Sequence, residues 1–241
     1  MTALSLSDKS LTWLQPDQLP SNTMSSRIAM ARRAEPKDLE PMSVLPKVPG
    51  HTSIGPRSLA FCHPNHSKET LEGYFDTFPS GIFVSEDSGH IVGFACAIRA
   101  RRNVVDKPIT WSDGTSSGTP LSHQADGEWL YVSRLTYTAG PGHAHISQEV
   151  GPLLAALQGM AEQLDLAGVA VGMRFPGFRE RSGTKSFQRA CIDDHHDQVR
   201  SGLHPIGVAY SQNYRHCLAL ANYLGDGRHF ALMVWKRYAD Y

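Results

Sequence analysis

Residues 79–100, PSGIFVSEDSGHIVGFACAIRA, constrain this chain more than any other stretch. Gly81–Asp87 reads as one strand and His90–Ala100 as a longer one, with Ile91, Val92, Phe94, Cys96 and Ile98 as its apolar residues. Ser88-Gly89 between them is turn chemistry of the two-residue kind. A β-hairpin with a long second strand is therefore required, and the rest of the fold must be built around a sheet.

Downstream, Glu128–Tyr137 (EWLYVSRLTY) is a further strand. Val150–Ala167 reads as a helix whose apolar face is Leu153, Leu154, Leu157, Met160, Ala161 and Leu164. Gly168–Met173 is a short buried strand, and His204–Asn213 suits a short helix. His216–Leu224 and His229–Arg237 suit a closing hairpin around Gly225-Asp226-Gly227. Upstream, Ile28, Met30 and Ala31 suggest a short strand. Glu35–Glu40 looks like a helix start, with Pro36 in the first turn and acids near the positive end of the dipole. Lys68–Phe78 places Leu71, Tyr74, Phe75 and Phe78 at helical spacing. Residues 46–66 hold four prolines and three histidines and read as loop. Residues 101–127 read as a long loop, of a length that in a compact domain is usually functional or disordered. The expected class is α/β of the α+β kind, a mixed sheet with helices on its faces. Residues 1–25 are an N-terminal extension that docks through Trp13, and residues 26–241 are one domain with a polar insertion at 175–203.

Composition narrows the function. The chain has 241 residues, 41% hydrophobic and 19% charged, and a formal net charge of zero. That is globular, and it excludes a wholly basic nucleic-acid binder. The average hides two unlike segments. Residues 113–170 hold six acids and one Arg, whereas residues 174–191 hold five bases and one acid. No apolar run is long enough for a transmembrane helix, so no membrane partner is expected. The start, MTALSLSDKSLTW, lacks a basic end followed by an apolar stretch, so no leader is read. Cys62, Cys96, Cys191 and Cys217 include no CxxC pair and suit the reduced thiols of a cytoplasmic protein. Cys191-Ile192-Asp193-Asp194-His195-His196-Asp197 has metal-ligand residue types, but adjacent histidines on a helix diverge by about 100°. A solvated polar segment is the better reading, and no metal is expected. GxxxxGK[ST], HExxH and a strand-linked GxGxxG are absent.

The element order and three local patterns resemble the GNAT superfamily of acyltransferases over residues 26–238. The patterns are the hairpin 79–100, the strand EWLYVSRLTY with its loop and helix, and the tail NYRHCLALANYLGDGRHFALMVW. VAVGMRFPGF with its polar insertion resembles more specifically GNAT domains found with carbon–nitrogen hydrolases. The resemblance implies a mostly antiparallel sheet in which the strand 128–137 splays from 168–173 to admit an acyl donor. It implies a loop opening the next helix that binds the pyrophosphate of acetyl-CoA or another acyl-CoA through backbone N–H groups and the helix dipole. Here that loop is TAGPGHAHISQEVGPLL. Gln148 and Gly151 match the family spacing, whereas Leu153 fills a slot the family gives to Gly or Ala. Gly142, His143 and His145 are further donor-binding candidates. Glu149 puts a negative charge where phosphate should sit, and no Lys or Arg occurs from 135 through 173.

Acyl transfer to an amine needs a base, an N–H donor for the tetrahedral oxyanion, and a proton for the leaving group. By resemblance, the backbone at Leu135, Thr136 and Tyr137 holds the donor, and Tyr210 is the proton-donating acid. Asn213 stands where the family prefers Gly and tolerates a left-handed cap. Glu128 is the base candidate, or else a solvated strand-end carboxylate. Strand alternation sends Tyr131 and Arg134 to opposite faces. Both are substrate-binding candidates, with Arg134 meeting an acidic acceptor or a core acid, and Arg174 and Phe175 join them. Arg179, Arg181, Lys185 and Arg189 form a basic insertion suited to phosphates or RNA, or an ordinary solvated loop. The partner expected is a small-molecule amine acceptor, the protein being a monomer or homodimer. Three readings stay open: an acyl-CoA N-acyltransferase, a transferase of the same fold using aminoacyl-tRNA or a carrier-protein thioester, and a non-catalytic ligand-binding relative.

Overall fold

A computed structural model describes residues 29–45, 67–137, 146–174, 205–225 and 230–238. The N-terminal extension, Cys62, Cys191 with the Asp/His run behind it, Gly142, His143, His145, Phe175, Arg179, Arg181, Lys185 and Arg189 lie outside the described residues.

The hairpin 79–100 is as expected. β2 (Ile82–Asp87) and β3 (His90–Ala100) pair antiparallel. Ser88 and Gly89 both have positive φ, 53° and 79°, which matches the twist of a two-residue hairpin turn. β1 (Met30–Arg33) pairs with β2 at one edge. After β1 the backbone turns through a 3-10 segment, Pro36–Asp38, where Glu35 N–H donates to the Asp38 carboxylate at 2.8 Å. α1 (Leu39–Val44) follows, and α2 (Lys68–Thr77) starts at Ser67, whose hydroxyl accepts from Thr70 N–H.

β4 (Trp129–Tyr137) pairs antiparallel with β3, and all nine of its residues are buried. α5 (Ile146–Gln163) leads to β5 (Gly168–Arg174), the one strand parallel to its neighbour, β4. α6 (Pro205–Ser211), β6 (Arg215–Leu220) and β7 (Phe230–Lys236) complete the order, with β7 inserted between β5 and β6. The result is a seven-stranded, mostly antiparallel sheet ordered β1-β2-β3-β4-β5-β7-β6. α5 crosses β1 to β5 on one face; α1, α2 and the segment 101–127 cover β3 and β4 on the other. No described helix is long and apolar enough to cross a membrane.

Three expectations change. Segment 101–127 is built rather than loose: it contains α3 (Asn103–Asp106), α4 (Trp111–Thr115) and a 3-10 turn at Pro120–Ser122. These elements are too short to show periodicity. Local capping forms them instead, with the Thr110 hydroxyl accepting from Asp113 N–H. α5 begins a turn earlier than the apolar pattern suggested, which places Pro152 in its interior. β6 stops at Leu220, because residues 221–225 turn inward and carry Tyr223 into the core.

Candidate functional site

The β4–β5 ladder runs from Trp129–Gly168 to Val132–Val171 and ends there. β5 continues from Gly172 to Arg174 against β7, while β4 continues from Arg134 to Tyr137 against β3. The two strands therefore part at their C-terminal ends. α5, the helix next in the chain after β4, lies on one face of the parting strands. A helix start carries oriented N–H groups and a positive dipole end. Glu149, 7% exposed, stands in that first turn. Gly151 faces α6: a Cβ there would lie 3.7 Å from Val208 Cγ1 and 3.9 Å from Gln212 Nε2, ordinary contacts.

A β-bulge shapes the parting. Cys96 pairs with Arg134 and Ala97 with Val132, so Ser133 is an extra residue on β4. Its hydroxyl donates to Cys96 O at 2.9 Å. The bulge overturns the expectation that Tyr131 and Arg134 face opposite ways. Both point at residues 111–118. A Cβ on Gly114 would lie 3.0 Å from the Tyr131 ring, and the Arg134 guanidinium stands 5.7 Å from the Trp111 ring centroid.

Residues 111–118 form a strap across this face. Trp111 Nε1–H donates to Ser133 O at 2.8 Å, and Trp111 N–H donates to Tyr223 O at 2.8 Å. The strap ends in three consecutive left-handed residues, Ser116, Ser117 and Gly118, with φ 48°, 61° and 84°. Such conformations are uncommon for non-glycine residues. Gly114-Thr115-Ser116-Ser117-Gly118 spells the GxSxG spacing of hydrolase nucleophiles. Here the serine closes a short helix and does not follow a strand, so the motif lacks the turn that exposes a nucleophile.

Tyr131 is fully buried, and its hydroxyl lies 2.5 Å from that of Tyr223. Burial pushes the Tyr131 phenol up to about 12 and holds Tyr223 well above its ordinary value. In this structure Tyr131 packs in the core, and its hydroxyl is taken up by Tyr223. Glu128 precedes β4 at the end away from the parting, where its carboxylate accepts from Arg102 N–H at 3.0 Å. It anchors the segment after β3 and is not brought to the gap. Leu135, Thr136 and Tyr137 line β4 beyond the ladder, and Arg174 ends β5. Tyr210 is half-buried on α6 against the core. Asn213 after α6 has φ 62°, the left-handed cap expected of it. Tyr214 is wholly buried and its hydroxyl donates to Leu154 O at 3.3 Å, so it is packing. Among the described residues, no group of three or more His, Cys, Asp or Glu is placed to hold a metal.

Arg134 is the unusual group. Only 7% exposed, it donates through Nη2 to Gly118 O at 2.7 Å, and its Nε has no hydrogen-bond partner among the described residues. Tyr74 lies 6.0 Å away by ring centroid, and its hydroxyl donates to the same Gly118 carbonyl at 3.3 Å. Sequence reasoning named Arg134 but missed Trp111, Gly118 and Tyr223. A tryptophan within a polar segment, followed by Ser-Ser-Gly, was the available signal.

No protein-family model and no curated protein matches the sequence. Solved structures do match. A GNAT-like decarboxylase, GphF, in complex with isobutyryl-CoA is 18% identical, with TM-score 0.55, covering 86% of this chain and 98% of that one. The loading GNATL domain of CurA from Lyngbya majuscula is 12% identical, with TM-score 0.54, covering 86% of this chain and 97% of that one. The chain has the GNAT-like fold.

Proposed function

We propose that this protein is an N-acyltransferase that moves an acyl group from acetyl-CoA or another acyl-CoA to the amine of a small molecule. The observation that carries the reading is the end of the β4–β5 ladder at Val132–Val171, with α5 across one face of the sheet. In this fold an opening of that kind admits a thioester arm, and the GphF decarboxylase of similar fold is in complex with an acyl-CoA, isobutyryl-CoA. Backbone groups at Leu135, Thr136 and Tyr137 would hold the donor and polarise its carbonyl. The deprotonated acceptor amine attacks that carbon; the C–N bond forms and the C–S bond breaks. The leaving thiolate takes a proton, for which Tyr210 is the candidate donor. Water, rather than Glu128, carries the amine proton away, because Glu128 precedes β4 at its far end. The acceptor occupies the face covered by 101–127. Release of free thiol from acetyl-CoA on adding amines tests this reading. A stoichiometric N-acetyl product is expected; no turnover with any acyl-CoA across a broad amine panel would sink it.

A second reading rests on Glu149. A buried carboxylate in the first turn of α5 repels a pyrophosphate. It favours a donor with no pyrophosphate at that point, such as aminoacyl-tRNA or a carrier-protein thioester. Salt-sensitive binding to charged tRNA, lost on replacing Arg179 and Arg181 by Ala, would support the tRNA form.

A further inference from the structure

A guanidinium is never neutral at physiological pH, and burying one without a counter-charge is unfavourable. Proteins that bury arginine normally give it a carboxylate or saturate its donors. Among the described residues Arg134 has no carboxylate partner. Its Nη2 donates to the Gly118 carbonyl, the Tyr74 hydroxyl stands beside it, and its Nε has no hydrogen-bond partner among those residues. Two aromatic rings flank it, one from α2 and one from the strap. The bulge at Ser133 aims it at the face opposite α5, two residues beyond the last β4–β5 pair. What covers it is the left-handed turn 116–118. Gly118 there has no room for a side chain: a Cβ would lie 2.1 Å from Trp111 Cη2 and 2.7 Å from Arg134 Nη2.

We propose that Arg134 is the receptor for a carboxylate on the acyl acceptor, and that this carboxylate displaces the Gly118 carbonyl as the strap 111–118 lifts. Resting on the acyltransfer reading, the assignment makes the acceptor an amino acid, a molecule holding the reactive amine and the carboxylate together. The carbonyl now on Nη2 is a planar oxygen acceptor, and a carboxylate offers a second oxygen for the empty Nε. The rings flanking the guanidinium, at 6.0 and 5.7 Å by centroid, suit a flat group on it better than a tetrahedral phosphate.

The test is ligand-induced thermal stabilisation of the full chain. The probes are the proteinogenic L-amino acids at millimolar concentration, the decarboxylated amines histamine, tyramine and cadaverine, and phosphoethanolamine. At least one amino acid should raise the melting temperature while its decarboxylated counterpart does not. Arg134→Gln should weaken that amino acid's binding about 10- to 100-fold, the span of a hydrogen bond to a charged group. Arg134→Lys, which keeps the charge but not the fork, should lie between. Arg134→Gln should itself melt no more than a few degrees below the natural chain, since it removes an unmatched buried charge. Three results overturn the proposal: no carboxylate-dependent shift in any probe, a shift that survives in both variants, or stabilisation by phosphoethanolamine alone. A large loss of stability in both variants would also count against it and make Arg134 a scaffold residue. Acetyl-CoA in the same assay keeps the two claims apart. A donor shift without carboxylate dependence refutes this assignment and leaves acyl transfer standing; a carboxylate shift without a donor shift supports Arg134 as the carboxylate receptor and removes acetyl-CoA as the donor.

Discussion

Removing either hydroxyl of the Tyr131–Tyr223 pair should destabilise the protein, and removing both should cost little more than removing one. The two oxygens are 2.5 Å apart in a wholly buried site, joining β4 to the turn after β6. Tyr131→Phe strands the Tyr223 hydroxyl, and Tyr223→Phe strands that of Tyr131. An unsatisfied buried polar group costs about 1–3 kcal/mol. Phe is otherwise isosteric, so no cavity adds to this. For a chain of this length each kcal/mol moves the melting temperature by about 2–4 °C, so each single variant should melt roughly 2–12 °C lower. The double variant leaves no stranded hydroxyl and should lie within about 1 kcal/mol of the milder single. A double-mutant cycle from denaturant unfolding would then give a coupling of about 1–2 kcal/mol. Additive losses would refute the reasoning, because they would mean that neither hydroxyl depends on the other.

Further outcomes follow from neighbouring contacts. Gly168→Ala would place a Cβ 2.1 Å from the Trp235 carbonyl oxygen and 2.7 Å from the Trp129 ring, so a loss of about 3 kcal/mol or more is expected by denaturant unfolding. The buried phenols of Tyr74 and Tyr131, both pushed up to about 12 by burial, favour the folded state while neutral. Their contribution is complete below the unfolded tyrosine value near 10 and is lost as pH rises from about 10 to 12, which circular dichroism across that window will read. At the other extreme, the Arg32 guanidinium beside Asp38, 2.6 Å away, holds its carboxyl below the usual range. That stability is present above the unfolded aspartate value near 4 and is lost as pH falls below it, and Asp38→Asn should flatten this acid limb.

The parts legible in the sequence were those written in local chemistry. β3 spans His90–Ala100 as read, because alternation and a Ser-Gly turn suffice to specify a hairpin. The Asn213 cap was legible for the same reason. Strict alternation failed at β4, where the extra residue Ser133 turns Arg134 to the face of Tyr131. A bulge is decided by the partner strand, and no pattern within EWLYVSRLTY announces it. The strap was hidden because α3 and α4 are shorter than a helical period can reveal. Its anchors, Ser133 and Tyr223, are distant in sequence. Glu128 was named from its strand, but the strand's direction places it away from the parting.

The central claim is that an acyl-CoA enters where β4 leaves β5, and a thermal shift with acetyl-CoA tests it most directly. A ligand at 100 times its dissociation constant stabilises by about 2.7 kcal/mol, or roughly 5–11 °C for a chain of this length. The account predicts a saturable rise of that size with acetyl-CoA. A melting temperature unmoved by millimolar acetyl-CoA would contradict it.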